Sequence, residues 1–73
     1  MELSARNQLP GKVQSITLGG VMAEVVIDIG NGLTVVAAVT RGSVEQMGLS
    51  EGAEDIAVIK ATEVLIGKPL VSS

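Results

Sequence analysis

The chain has 73 residues, a formal net charge of −3 and neither Cys nor His, which excludes disulfides, thiol chemistry, imidazole acid–base chemistry and ordinary zinc sites. Phe, Tyr and Trp are also absent, although 47% of the residues are hydrophobic. A small apolar chain without disulfides buries too little surface alone to be comfortably stable, so we expect one domain that assembles as a homo-oligomer.

Charge and composition also argue against two kinds of partner. Nucleic-acid binding needs a surplus of Lys and Arg, and single-strand binding relies on aromatic stacking; the sequence offers neither. No apolar run approaches the roughly 18 residues that span a bilayer, and Met1–Ser4 lacks the character of a signal peptide. We therefore expect a cytoplasmic protein without a membrane partner, an organic cofactor or a site for a bare metal cation.

The first candidate binding residues are Ser4 and Arg6. Residues two apart in an extended segment share a face, so both side chains could direct donors at one small anion. The alternative is that Arg6 pairs with a surface carboxylate and Ser4 is merely solvated. This segment by itself leaves both interpretations open.

Gly, Asn and Pro then divide the chain into segments of strand length. Alternating apolar residues predict a first strand over 11–18, with a bulge near Ser15 where the alternation slips. β-Branched residues predict a second strand over 21–29. The turn at 30–32, Gly-Asn-Gly, predicts a hairpin to a third strand over 33–39, antiparallel to the second.

One short helical turn is predicted next, over 43–48. Ser43 is its expected N-cap, Gln46 occupies the capping-box position and Gly48 ends it. Helix N-termini offer unpaired N–H groups to anions, which makes Thr40 and Ser43 candidate binding residues. An ordinary helix cap explains the same residues without a ligand.

Two further strands are predicted over 55–60 and 64–66. Lys60 closes the first of them and is a candidate cation, although Lys is also common at strand ends as a solubilising charge. Five short strands and one helical turn predict a mainly β fold, a five-stranded Greek-key barrel of the oligonucleotide/oligosaccharide-binding type. The domain is expected over 1–67, with a loosely ordered tail over 68–73.

Three segments form a joint pattern: S-A-R-N-Q-L-x-G-K-V, T-x-x-S-V-E-x-x-G-L-x-E-G and A-V-I-K-A-T-E-V. Together, with their spacing over about residues 3–66, they closely resemble the molbindins, small molybdate-binding proteins of the Mop type. The resemblance implies a five-stranded barrel related to the oligonucleotide-binding fold. It also implies a hexamer, arranged as a trimer of dimers, with oxyanions held at subunit interfaces.

By matching positions, the resemblance implies that the oxyanion is bound by Ser4, Arg6, Thr40, Ser43, Lys60 and Ala61. Molybdate and tungstate are tetrahedral dianions with no proton to donate at neutral pH, so a site of donors and cations suits them. A second site, formed mainly by backbone amides, is implied at Gly19, Gly20 and Val21, although a Gly-Gly turn needs no ligand to explain it. Pro10 departs from the family pattern, in which a polar or basic residue often occupies this position.

The implied function is binding of molybdate, and of tungstate, for intracellular storage and homeostasis. The alternative is an oxyanion-responsive regulatory module that acts through a protein partner. We do not expect an enzyme, because neither Ser4 nor Lys60 has an evident activating partner in a chain without His, Cys or paired carboxylates beside a nucleophile.

Overall fold

A computed structural model describes residues 5–70 of the chain. Its elements are four strands, one short α-helix and a 3-10 turn, in the order β1 Asn7–Leu18, β2 Met22–Gly30, β3 Leu33–Thr40, α1 Arg41–Met47, β4 Glu54–Ile59 and the turn Ala61–Glu63. The strands form one sheet in the order β3-β2-β1-β4, and every neighbouring pair is antiparallel. The fold is thus mainly β, a curled four-stranded half-barrel with one short helix.

The long strand β1 belongs to two ladders. Its first half, from Asn7 to Lys12, pairs with β4, and its second half, from Lys12 to Leu18, pairs with β2. β1 therefore starts four residues earlier than the sequence pattern predicts. Because β1 pairs with β4 along its first half and with β2 along its second half, the four-stranded sheet can curl around an apolar interior.

The predicted bulge is confirmed, because the β1–β2 register shifts between Val13 and Ser15. The loop before β4 packs beside it: Val13 N–H donates to the Ala53 carbonyl at 2.9 Å, and Gly52 N–H donates to the Val13 carbonyl at 2.8 Å. Ile16 N–H donates to the Glu51 carboxylate at 3.2 Å. The loop thus takes up backbone groups that an irregular strand would otherwise leave unpaired.

The predicted hairpin turn between β2 and β3 is also confirmed. Gly30, Asn31 and Gly32 all have positive φ, at 97°, 55° and 73°. Glycine adopts such values at little cost and Asn tolerates them, which is why this sequence makes the turn.

The short helix begins earlier than its sequence predicts, and its predicted N-cap is wrong. Thr40, still extended at the end of β3, caps α1, and its hydroxyl accepts a hydrogen bond from Ser43 N–H. Ser43 therefore lies inside the first turn, and Gln46 does not occupy a capping-box position. The predicted end is confirmed, since Gly48 takes the left-handed conformation at φ 66°.

The predicted fifth strand over 64–66 is wrong for the single chain. Val64 N–H donates to the Ala61 carbonyl and closes the 3-10 turn, but Val64–Leu70 forms no strand. The apolar side chains of Leu65 and Ile66 are 91% and 93% exposed. β-Branched and aliphatic residues favour a strand only where a neighbouring edge is available to pair with, and residues 5–70 do not close into a five-stranded barrel.

The core consists of small and β-branched side chains on the concave side of the sheet: Val13, Ala23, Val25, Ile27, Val44 and Ala57. Val44 is the buried residue of α1. The concave side remains open as an apolar trough of about 500 Å³, lined among others by Val25, Ile27, Val39, Met47 and Leu49. Neither helical segment within residues 5–70 has the length and apolar character needed to cross a membrane.

Candidate functional site

Pairing of β1 with β4 brings two of the predicted basic residues together. Asn7 and Ile59 are the last register partners of this ladder, and the next residues outward are Arg6 and Lys60. The Asn7 amide donates to the Ile59 carbonyl at 3.3 Å, which adds a side-chain bond at the end of the ladder. The antiparallel register thus places the start of the opening motif beside the closing motif.

One further predicted residue, Ala61, belongs to this end of the sheet. Ala61 follows Lys60 and begins the 3-10 turn, and Ala5, the register neighbour expected opposite it, is buried. Gln8 donates to the Ala5 carbonyl at 3.2 Å and so helps to hold the opening segment. Ser4 lies outside the described residues.

Two cations lie at this end of the sheet, and Glu63 ends the 3-10 turn after Lys60. Arg6 and Lys60 are both exposed, and the ion pair formed within residues 5–70 joins two other residues, Arg41 and Glu45, at 3.7 Å. The alternative in which Arg6 is held by a surface carboxylate therefore finds no support in this part of the chain. Two neighbouring cations without a carboxylate partner repel each other, and an anion placed between them relieves the repulsion.

Thr40 and Ser43 form a hydroxyl pair at the start of α1. Thr40 Oγ1 donates to Ser43 Oγ at 2.7 Å and accepts from Ser43 N–H at 3.0 Å. The Thr40 hydroxyl proton is consequently used within the chain, whereas the Ser43 hydroxyl keeps its own proton for another acceptor. The primary role of the two residues is to cap the helix. Of the two, Ser43 is better able to donate its hydroxyl proton to a ligand.

The turn of Gly19, Gly20 and Val21 lies next to this pair. Met22 and Thr40 are register partners in the β2–β3 ladder, and Arg41 N–H donates to the Val21 carbonyl at 2.8 Å. The Arg41 guanidinium also donates to the Gly19 carbonyl, at 3.2 Å. Arg41 is not among the predicted binding residues, because its partners here are backbone carbonyl groups that no sequence motif marks.

The predicted residues therefore form two groups at opposite ends of β1. Arg6, Lys60 and Ala61 lie where β1 starts, while Thr40 and Ser43 lie with the Gly19–Val21 turn where β1 ends. β1 has 12 residues, and at about 3.3 Å per residue its ends are roughly 36 Å apart along the strand. One chain does not gather all the predicted donors around a single ligand.

A second concavity, of about 530 Å³, is lined by several carboxylates. Lys12 lines it together with its register partners on the two neighbouring strands, Asp28 and Glu54, and Asp55 also lines it. Carboxylates repel an oxyanion, so this concavity does not suit one. Within residues 5–70 no group of three or more acidic, His or Cys side chains is placed to hold a metal ion.

Comparison with known proteins gives consistent results. The TOBE domain family matches residues 3–66. The chain is 48% identical over 66 residues to molybdenum-pterin-binding protein 1 of Clostridium pasteurianum, which covers 90% of this chain and 97% of that relative. Its fold is similar to that of a molybdate-binding protein from Sporomusa ovata, with a TM-score of 0.86, 41% identity and coverage of 93% of this chain and 100% of that one.

A third similarity is to the cytoplasmic molybdate-binding protein ModG in a structure with molybdate bound. The TM-score is 0.88 at 43% identity, and the match covers 94% of this chain but 49% of the ModG chain. Sequence and fold thus agree on one group of proteins, whose members are named for binding molybdate or a molybdenum pterin. The chain belongs to the TOBE domain family and, within it, to the small Mop-type proteins.

Proposed function

We propose that this protein binds molybdate at interfaces between copies of the chain. The observation that carries the proposal is the β1–β4 register, which sets Arg6 beside Lys60 at an exposed strand end with no carboxylate paired to either within residues 5–70. The molybdate bound in the ModG structure and the molybdate-binding relatives support this choice of ligand.

The available groups suit a tetrahedral dianion. Arg6 offers a planar fork of N–H donors and Lys60 a mobile point charge, so together they can balance two negative charges. Ser43 adds a hydroxyl donor, and Ser4 and Ala61 complete the proposed first site with Thr40. Tungstate has nearly the same size and charge as molybdate and is expected to bind as well. Sulfate has the same shape but is smaller, so discrimination falls to the cavity size and to fixed donors.

Assembly would bring the two groups of donors together. Because they lie at opposite ends of β1, a common site needs one group from each of two copies. The open apolar trough and the exposed Leu65 and Ile66 support such an assembly, since a chain of this size seldom leaves so much apolar surface in water. We propose a hexamer built as a trimer of dimers, in which neighbouring copies cover these surfaces.

The bound species is proposed to be the free oxyanion rather than a pterin complex. Pterin rings are commonly held by stacking on aromatic side chains, and this chain has no Phe, Tyr or Trp. The proposed donors are instead small or cationic groups that match oxygen atoms. Relatives of this chain are named for molybdenum-pterin binding, so binding of a pterin should be tested directly against binding of free molybdate.

The biological role proposed for the assembly is cytoplasmic storage and buffering of molybdate, without catalysis. The alternative, a regulatory module that responds to the oxyanion through a protein partner, predicts that the ligand changes the assembly. Measuring the molar mass in solution with and without molybdate separates the two. A hexamer that forms without ligand favours storage, and assembly driven by the ligand favours sensing.

A calorimetric titration with molybdate in excess sulfate tests the proposed binding. We expect saturable heat with no more than a few ligands per chain, and weaker or no heat with added sulfate or with a pterin. Absence of molybdate binding under these conditions would refute the function. The stoichiometry would also count the interface sites.

A further inference from the structure

Arg41 makes three contacts that tie the start of α1 to the turn between β1 and β2. Its backbone N–H donates to the Val21 carbonyl at 2.8 Å. Its Nη1 donates to the Gly19 carbonyl at 3.2 Å. Its Nε lies 3.7 Å from a Glu45 carboxylate oxygen, one helical turn later. One residue therefore holds the carbonyl groups on both sides of Gly20.

This arrangement leaves backbone N–H groups of the turn without an acceptor. Gly19 N–H donates to the Met22 carbonyl at 2.7 Å, so it belongs to the hairpin. The N–H groups of Gly20 and Val21 donate to no acceptor within residues 5–70. With the Gly19 and Val21 carbonyl oxygens bound to Arg41, the polar groups of the turn that have no partner within residues 5–70 are the N–H groups of Gly20 and Val21 and the Gly20 carbonyl. The two adjacent N–H donors are the kind of backbone surface that attracts anions.

The space around the turn also suits a small ligand. A side chain at Gly19 would come within 2.9 Å of the Met22 carbonyl oxygen, so glycine is required there by the close approach of the hairpin strands. Around Gly20, by contrast, nothing lies within 4 Å of the position that a Cβ would occupy. The backbone of Gly20 is consequently open to an incoming oxyanion.

The guanidinium keeps donors of its own. Arginine carries five N–H donors, and within residues 5–70 Arg41 uses Nη1 for Gly19 and directs Nε toward Glu45. The distance of 3.7 Å to Glu45 is too long for a strong hydrogen bond. The Arg41 side chain is 44% exposed, so its remaining donors lie within reach of solvent beside the turn.

We propose that Arg41 is the positioning residue of an oxyanion subsite on the Gly19–Val21 turn. It orients the turn by holding its carbonyl groups, and its charge makes the Gly20 and Val21 amides a better anion site. This inference rests on the proposed function, because it assumes that the oxyanion reaching this turn is molybdate. It adds to that function a residue without which the turn would be an ordinary hairpin loop.

The test compares two substitutions that remove the same charge, Arg41→Gln and Lys12→Gln. Lys12 is an exposed residue of β1 that lies between Asp28 and Glu54, away from the turn. Backbone ¹H–¹⁵N resonances of each assembled protein are followed during a titration with sodium molybdate in excess sulfate. In the wild-type protein and in Lys12→Gln, the Gly20 and Val21 amides are expected to shift saturably. In Arg41→Gln, their apparent affinity is expected to fall about tenfold, because the turn loses a neighbouring positive charge and the guanidinium that holds the Gly19 carbonyl.

The amides of Lys60 and Ala61 report on the other proposed site in the same spectra. Because Thr40 and Ser43 of that site lie next to the turn, a shift of the turn amides supports the subsite only where it follows a different affinity from that of Lys60 and Ala61. We expect them to respond normally in Arg41→Gln, which a general loss of folding would not allow. If the turn amides titrate alike in Arg41→Gln and in the wild type, the role of Arg41 is refuted. If they stay silent in the wild type while Lys60 and Ala61 respond, the subsite is refuted but molybdate binding stands. Silence of all these amides refutes the proposed function, and the subsite with it.

Arg41→Lys provides a second variant, should Arg41→Gln fail to fold. Lysine keeps the charge and the backbone N–H but cannot reproduce the planar fork. The turn amides should therefore bind molybdate with an affinity below that of the wild type. Wild-type affinity at the turn in Arg41→Lys would overturn the positioning role of the guanidinium.

Discussion

Asn7 and Ile59 face each other at the outer end of the β1–β4 ladder, and the Asn7 amide donates to the Ile59 carbonyl at 3.3 Å. This pair fixes which residues come next on the two strands. A slip of one residue would turn every side chain of one strand to the opposite face. The register at this pair therefore decides whether Arg6 and Lys60 are neighbours.

Arg6→Ala and Lys60→Ala are each expected to weaken molybdate binding by about tenfold or more, because each removes a cation that we propose donates hydrogen bonds to the dianion. The measurement is calorimetric titration in excess sulfate. Lys68→Ala is the matched control, since Lys68 is an exposed cation beyond the 3-10 turn and should leave the affinity unchanged. Wild-type affinity in both Arg6→Ala and Lys60→Ala would remove these residues from the site.

Thr40→Ala is expected to lower the free energy of unfolding by about 1 kcal/mol, because it deletes the N-cap acceptor of α1. Ser43→Ala keeps that acceptor and loses the 2.7 Å hydroxyl contact alone, so its cost should be smaller. Urea unfolding of both variants in the absence of oxyanion measures the difference. Equal or reversed costs would show that the cap does not depend on the Thr40 hydroxyl.

Gly11→Ala is expected to destabilise the protein by about 1–3 kcal/mol, as in other overpacked sites. A Cβ on Gly11 would collide with the Asp28 carbonyl oxygen and approach Ile27 Cγ2 to 2.8 Å. The control is Gly42→Ala in α1, where a Cβ meets nothing within 4 Å. Its stability should be unchanged or raised by up to about 1 kcal/mol, since alanine favours helix.

Thermal or urea unfolding of these two glycine variants gives the comparison. A Gly11→Ala protein as stable as the wild type would mean that β1 and β2 can separate at this point without cost. The close approach would then not be needed for the curl of the sheet.

Leu65→Asp is expected to dissociate the proposed assembly and to lower its melting temperature. The Leu65 side chain is 91% exposed in the single chain, so a monomer should tolerate the change. A charge buried between subunits is costly. Analytical ultracentrifugation gives the molar mass, and Asn31→Asp, which adds the same charge at an exposed position of the β2–β3 turn, is the control. A monomeric wild-type protein would contradict the proposed interface directly.

The sequence predicts best where the signal is local. The positive φ values at Gly30, Asn31 and Gly32 follow from residue types, and the bulge follows from a slip in alternation. It predicts poorly where Pro10 and Gly11 suggest a strand boundary. At Pro10 the chain pairs with β4 on one side, and the β2 ladder begins only at Lys12, so the missing N–H can face an unpaired side.

The candidate site shows the same division. Motif spacing selected Arg6 and Lys60, and the strand register brings them together. Spacing could not show that Thr40 and Ser43 lie at the other end of β1, because that depends on the order of strands in the sheet. Arg41 was missed for a related reason: its partners are carbonyl groups 20 or more residues away, and backbone acceptors leave no mark in a sequence.

The open trough also has a calorimetric consequence. The heat-capacity change of unfolding grows with the apolar surface that unfolding newly exposes, and it is typically about 12–15 cal/mol/K per residue. Within residues 5–70 of a single chain no large side chain is fully buried, and Met47, Leu65 and Ile66 are exposed. Its own heat-capacity change should therefore fall below that range. The heat-capacity change measured on melting the assembly would then reflect mainly the apolar surface buried between copies, and to a lesser extent the core of one copy.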